Sequence, residues 1–301
     1  MKVSEGVVRD ILRLIIWFPF RWLVRIIPIA LSFSLFKVIG DLHFYAGGKK
    51  QRRLLRNIKN IIDTKENAVN AAKKYYENHY TDRLHIFLYP KLATIEKIKK
   101  YVYFENIEAL EKVLKNGKGA LLVQPHFGPV QITLLSLALH GYNPIQIGYP
   151  TDKGLSKIGR YVAFRTRLKY EALLPAPIIP ADKYLGKIYK HLLQGGVVLT
   201  TGDGAGGDLF LGEHKRFNIF GVDRLFPLGP AMWAIKTGAA FVPTFIITET
   251  PRRFRIVFEK DIRGIFNNLE KDRAYITERF VAIAEEYIKR YPQCWHFLDE
   301  I

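Results

Sequence analysis

The run Ala120-Leu-Leu-Val123, with the turn directly after it, constrains this chain more than any other feature. Four apolar residues without alternation suit a short strand buried on both faces, as in a parallel sheet covered by helices on either side. Gln124-Pro-His126-Phe127-Gly128-Pro129 comes next, and then a helical pattern to about residue 140. Proline is favoured at the first helical position, where its missing N–H costs nothing. The alternation then repeats. Residues 143–148 read as a strand, 183–193 as a helix, and 196–201 as a strand running into Gly202-Asp203-Gly204. Residues 230–237 read as a helix, 240–248 as a strand, 253–259 as an alternating edge strand and 270–290 as a closing helix. Upstream, residues 49–62, 65–88 and 105–115 carry helical spacing. The pattern predicts an α/β fold, a mostly parallel central sheet flanked by helices.

In such sheets ligands sit outside the carboxyl ends of the strands. His126 and Asp203 both fall at such ends. A neutral imidazole there can take a proton from an attacking hydroxyl; a satisfied structural histidine is the competing and commoner reading of such a residue taken alone. A histidine base needs a partner on its other nitrogen to fix the tautomer and stabilise the imidazolium. The residue five positions on, one helical turn in, is well placed to face it, and here that is Gln131. A glutamine can fix the tautomer but brings no charge. Asp203, between two glycines and followed by Ala205-Gly206-Gly207, has two readings: a turn-forming aspartate, or a carboxylate delivered to the site from a neighbouring strand. The glycine-rich loop lacks a Walker lysine and fits no dinucleotide fingerprint. Arg165 and Arg167 are candidate phosphate binders, with a solvated basic face as the competing reading.

The other constraint lies at the start. Residues 11–39 are long and apolar, but Arg13, Arg21 and Arg25 interrupt them, and the longest charge-free run, residues 26–36, has 11 residues. A full span needs about 20. A helix lying in a membrane interface, arginines toward phosphates and Trp17 and Trp22 at headgroup depth, fits better. Pro19 and Pro28 should kink or break it. A buried hairpin of core helices is the competing arrangement.

Net charge is +18, and residues 1–60 hold 12 basic against 3 acidic residues. The excess thus concentrates in the most apolar fifth of the chain, which favours a membrane surface over nucleic acid. An acidic carrier protein also fits. Hydrophobic residues make up 49%, enough for a folded core. Cys294 is the single cysteine. It excludes an intrachain disulfide and any thiolate metal site, and reads as an inert packed thiol.

Taken together, these motifs resemble the bacterial lipid A biosynthesis (lauroyl/myristoyl) acyltransferases, a family related to phosphatidylinositol mannoside acyltransferases. The resemblance runs over most of the chain. Its marks are Arg52-Arg-Leu-Leu-Arg-Asn57, Gly119 to the His126-Phe-Gly turn, and Gly195 to Asp203. Phe226-Pro-Leu-Gly-Pro-Ala with Lys236-Thr-Gly-Ala comes after these, and Tyr291-Pro-Gln-Cys-Trp-His296 closes the set. The resemblance implies a glycerol-phosphate-acyltransferase-like domain over residues 45–301, behind a membrane-associating segment, residues 1–44. It implies an enzyme at the cytoplasmic face of the inner membrane. Acyl-ACP or acyl-CoA serves as co-substrate, with no cofactor or metal, and a lipid or glycolipid is the acceptor. His126 is the implied base, Gln131 and Asp203 its companions, and Phe127, Gly128, Arg165 and Arg167 the residues about the substrate. One departure stands out. The family pattern is His-x-x-x-x-Asp/Glu, and here the fifth position is Gln131, so a non-catalytic lipid- or acyl-carrier-binding relative is the alternative to the enzyme.

Overall fold

The computed structural model describes residues 6–61, 65–182, 185–204 and 211–300. Lys183 and Tyr184, at the expected start of one helix, and Ala205-Gly206-Gly207 lie outside them. The chain opens with helices α1 (Val7–Ile15), α2 (Arg21–Ile26), α3 (Ile29–Ala46), α4 (Lys49–Lys59) and α5 (Lys65–Leu84), then two short turns, α6 (Tyr89–Leu92) and α7 (Ile95–Ile98). Next come β1 (Val102–Glu105), α8 (Ile107–Leu114), β2 (Ala120–Gln124), α9 (Val130–Leu139), β3 (Pro144–Gly148), α10 (Arg165–Glu171) and β4 (Ile178–Pro180). The rest is α11 (Gly186–Leu193), β5 (Val197–Thr201), β6 (His214–Ile219), β7 (Val222–Pro227), α12 (Gly229–Thr237), β8 (Ala240–Thr250), β9 (Arg253–Phe258) and α13 (Leu269–Arg290).

Seven strands form one sheet in the order β1-β9-β8-β2-β5-β3-β4. Its pairings are parallel except β8 with β9. β2 lies in the middle and all five of its residues are buried. Successive side chains of a strand point to opposite faces, and the core divides accordingly. Leu121, Val123, Val198 and Phe241 join one apolar layer with residues of α4, α5, α11, α12 and α13. Ala120, Leu122, Leu199 and Val242 join the other, with residues of α3, α8 and α9. Each buried Leu, Val or Phe stabilises the fold by roughly 1.5–3 kcal/mol, so a strand that is apolar on both faces holds two layers together.

The expected helices and strands are present, but residues 253–259 are not at an edge: β1 pairs along the outer side of β9, which therefore lies between β1 and β8 and leaves β1 and β4 as the edges. Three features have no clear signal in the sequence. β1 and β4 are short. The β6–β7 pair is a separate antiparallel hairpin, turned at Phe220 and Gly221 with φ of 54° and 75°. Positive φ at both turn residues is the hairpin geometry usually marked by Asn-Gly or Asp-Gly; Phe-Gly does not announce it.

The N-terminal segment differs in detail from the expected kinked helix. Pro28 does break it: Ile27 is extended and α3 restarts at Ile29. Pro19 does not. It sits in a π-helical turn, Ile16–Phe20, that runs on into α2. A wider turn of this kind relieves the clash a proline ring makes in a regular α-helix. By length and composition α3 is long and apolar enough to cross a membrane. One of its faces, however, packs on the protein. Phe33 and Phe36 are fully buried in the same layer as Leu122, while Leu31, Val38, Leu42 and Tyr45 are exposed. Gly40 sets the spacing from α5, since a Cβ there would lie 2.6 Å from Glu77 Cα. We expect Gly40→Val to force the two helices apart and to cost about 1–3 kcal/mol, a downward shift of a few degrees in thermal melting with the far-ultraviolet spectrum retained.

Candidate active site

Two strand ends bring the site together. β2 and β5 pair in parallel with Gln124 opposite Thr201. The residues two further along each strand, His126 and Asp203, therefore leave the sheet side by side. Asp203 Oδ1 lies 2.7 Å from His126 Nδ1, and Oδ2 accepts the His126 backbone N–H at 2.8 Å. The Trp295 indole N–H donates to the same Oδ2 at 3.1 Å. The Asp203 side chain is only 4% exposed, against 26% for His126. Burial penalises its charge, but the His126 charge and the three donors outweigh that and hold the carboxyl below its usual range. Burial opposes the imidazolium too, yet the Asp203 charge and hydrogen bond prevail and raise the His126 pKa above the ordinary imidazole value.

The turn after β2 is tightly specified. Gly128 has a φ of +61°, a left-handed conformation in which a side chain is strained, and a Cβ there would strike the Ile246 carbonyl. Its N–H donates to Cys294 O at 2.8 Å. The backbone amides of His126 and Gly128 are thus both engaged. Phe127 is fully buried and meets Phe245 edge to face, 5.8 Å between centroids. Its ring belongs to the core.

The C-terminal segment closes the site. His296 N–H donates to His126 O at 2.9 Å, and the Phe297 ring lies 4.8 Å from the His126 ring. The segment is fastened from α4 and α5. Asn57 donates to Leu298 O at 3.0 Å and Asn78 to Gln293 O at 2.9 Å. Tyr75 Oη lies 2.8 Å from His296 O and 2.9 Å from Asp299 Oδ1, and Lys50 and Arg53 pair with Asp299 at 3.6 and 3.1 Å. His296 lies 3.7 Å from Asp82 through Nδ1, and its buried Nε2 meets no partner among the described residues. Cys294 is fully buried, and burial pushes its thiol up to about 12, out of reach of thiolate chemistry at neutral pH.

Of the residues singled out in the sequence, His126 and Asp203 are brought together. Gln131 is turned elsewhere: Tyr89 donates to its Oε1 at 2.5 Å and its Nε2 donates to Glu171 at 2.9 Å. Arg167 is half exposed, its Nε bonded to Glu171 at 2.7 Å. Arg165 is exposed and stacks on Tyr161 at 4.6 Å. Trp295 and Phe297 are site residues that the sequence does not single out, although the Tyr291-Pro-Gln-Cys-Trp-His296 motif marks their segment. An open groove of about 810 Å³ between α11 and α12, lined by Leu185, Tyr189 and Trp233, includes no residue of the pair. Among the described residues no three His, Cys, Asp or Glu side chains gather as a metal site.

The family model for bacterial lipid A biosynthesis acyltransferase matches residues 8–300. A phosphatidylinositol mannoside acyltransferase of Mycolicibacterium smegmatis (strain ATCC 700084 / mc(2)155) is 24% identical over 289 residues, covering 92% of this chain and 87% of that protein.

The ion pair gives stability a defined pH window. The lowered Asp203 pKa contributes stability that is present above 3.8 and is lost as pH falls through the folded value. The raised His126 pKa contributes stability that is full below 6.5 and is lost as pH rises through the folded value. The melting-temperature difference between wild type and Asp203→Asn should therefore be largest between about pH 4 and 6.5 and shrink on both sides, as thermal melts across pH will show.

Proposed function

The chain belongs to the bacterial lipid A biosynthesis acyltransferase family, and from that membership we propose a specific reaction. It is the transfer of a fatty acyl group from a thioester, on acyl carrier protein or coenzyme A, to a hydroxyl of a membrane lipid or glycolipid. The observation that carries this reading is the 2.7 Å contact between Asp203 and His126 Nδ1. With Nδ1 held, Nε2 is the nitrogen that takes the acceptor's proton. The acceptor oxygen attacks the thioester carbonyl and a tetrahedral oxyanion forms. The oxyanion collapses with cleavage of the C–S bond, and the departing thiolate recovers the proton from His126. Asp203 keeps the tautomer and stabilises the transient imidazolium. It supplies the charge that Gln131 cannot, which favours catalysis over the competing reading of a non-catalytic lipid- or carrier-binding relative. Arg165 and Arg167, exposed on α10, are the candidate partners for a donor or acceptor phosphate.

The proposed place of action is the cytoplasmic face of the inner membrane. α1, the π-helical turn after it and α2 expose Val7, Val8, Ile11, Leu12, Phe18, Trp22 and Ile26, and clustered exposed apolar side chains mark membrane or partner contacts. Arg21 and Arg25 flank the Trp22 ring at 5.4 and 5.5 Å. Apolar side chains in the acyl boundary with arginines at phosphate depth describe a helix lying on anionic lipid.

The decisive measurement is transfer from labelled acyl-ACP or acyl-CoA to a lipid extract. Wild type should acylate and His126→Ala should not; equal activity in the two would overturn the mechanism. The wild-type kcat/KM should climb with pH through an apparent value above 6.5, because the base must be neutral. Asp203→Asn should move that limb to lower pH and slow transfer by about 10²–10⁴. For the membrane, replacing Ile11, Leu12 and Phe18 with serine should reduce sedimentation with anionic vesicles while leaving the melting temperature within a few degrees.

A further inference from the structure

Gln131 stands where the family pattern puts a carboxylate, and the structure places another carboxylate against it. Glu171, on α10, is buried with only 7% of its surface exposed. Its Oε1 accepts from Gln131 Nε2 at 2.9 Å and from Arg167 Nε at 2.7 Å. On its other side Gln131 accepts from the Tyr89 hydroxyl at 2.5 Å. Tyr89 lies 3.0 Å from His85 Nε2, and His85 Nδ1 lies 3.1 Å from Thr81 O. The amide has only one workable orientation. A phenol can give a proton and a carboxylate can only accept, so turning the amide over would set oxygen against oxygen at Glu171. Burial, and after it the Glu171 charge, push the Tyr89 phenol well above its usual value, so the phenol stays a donor.

A carboxylate at residue 131 would stand about 2.9 Å from Glu171. A part-buried carboxylate that close to the buried Glu171 cannot ionise beside it without a cation between them. Arg167, whose side chain is half exposed, already serves Glu171. The glutamine is therefore the complement of Glu171: one charge sits in this pocket, donated by α10 instead of α9. Gln131 is also the second residue of α9, where a nearby negative charge suits the positive end of the helix.

We infer that the negative charge of the pattern's fifth position has moved to Glu171, and that Glu171 is a positioning residue. Through the Gln131 amide it fixes the first turn of α9 and, with it, the turn at residues 125–129 that aims His126. The inference rests on His126 being the base. It turns the departure at residue 131 from a loss into an exchange.

The test is a swap. Gln131→Glu, Glu171→Gln and the double variant are compared with wild type for kcat, KM and melting temperature. Each single change should lower kcat by about tenfold while both KM values stay within about twofold, and the double variant should recover to within about threefold of wild type. Activity in Gln131→Glu equal to or above wild type, or a double variant no better than the product of the singles, would refute the exchange. Melting curves separate this from the proposed reaction. If wild type transfers no acyl group, the acyltransferase reading fails, and the exchange is then judged on melting alone: a non-additive recovery in the double variant supports it, and additive losses overturn it. If Gln131→Glu does not fold, a double variant that melts like wild type supports the exchange, and one that also fails to fold overturns it.

Discussion

The parallel pairing of β2 with β5 is the constraint on which the rest depends. Gln124 opposite Thr201 sets the heights at which the two chains leave the sheet, and so brings His126 to Asp203. A slip of one residue would carry the pair apart and would also turn Leu121 and Leu122 to the wrong layers. Register is thus guarded by the core and read out at the site. The pairing also solves a solvation problem. A carboxylate as buried as Asp203 is costly unless hydrogen-bonded and paired, and its partners come from three places: the turn after β2, the imidazole itself and the indole of Trp295. Sheet, turn and C-terminal segment hold one charge between them.

Where the sequence carries a local signal, it is legible. The apolar run at residues 120–123 announces a two-faced buried strand, and the α/β alternation rests on elements of ordinary length. His126 is identifiable because a strand ends and a helix begins around it. Asp203 is half legible: its place at a strand end is clear, but the choice between turn residue and site carboxylate needs the β2–β5 register, a property of two segments together. Trp295 and Phe297 are not legible, since nothing near residue 295 tells of a contact with residue 203. Gln131 misleads for a related reason. Its spacing from His126 suits a facing pair, and the decisive neighbours, Tyr89 and Glu171, lie 42 and 40 positions away in sequence.

Charge shows the same division. The basic excess of residues 1–60 reads as a surface for an anionic partner, and much of it is exposed on α4 as Lys49, Arg52, Arg56 and Lys59. Part of it has a different task. Lys50 and Arg53 reach Asp299 in the segment that closes the site. Some of the positive charge is therefore an internal fastening between the first and last parts of the fold, and composition alone does not separate the two uses.

That fastening has a consequence for how the molecule comes into being. A growing chain that has reached Asp203 already holds both members of the pair, but not the indole that caps the carboxylate, the ring beside the imidazole or the strand-like partner of the His126 turn. All of these come from residues 294–299, about ninety positions beyond Asp203 in the chain. The two groups are therefore in the chain well before their setting is, and a fragment ending ahead of residue 294 holds the pair without the indole on the carboxylate or the ring beside the imidazole.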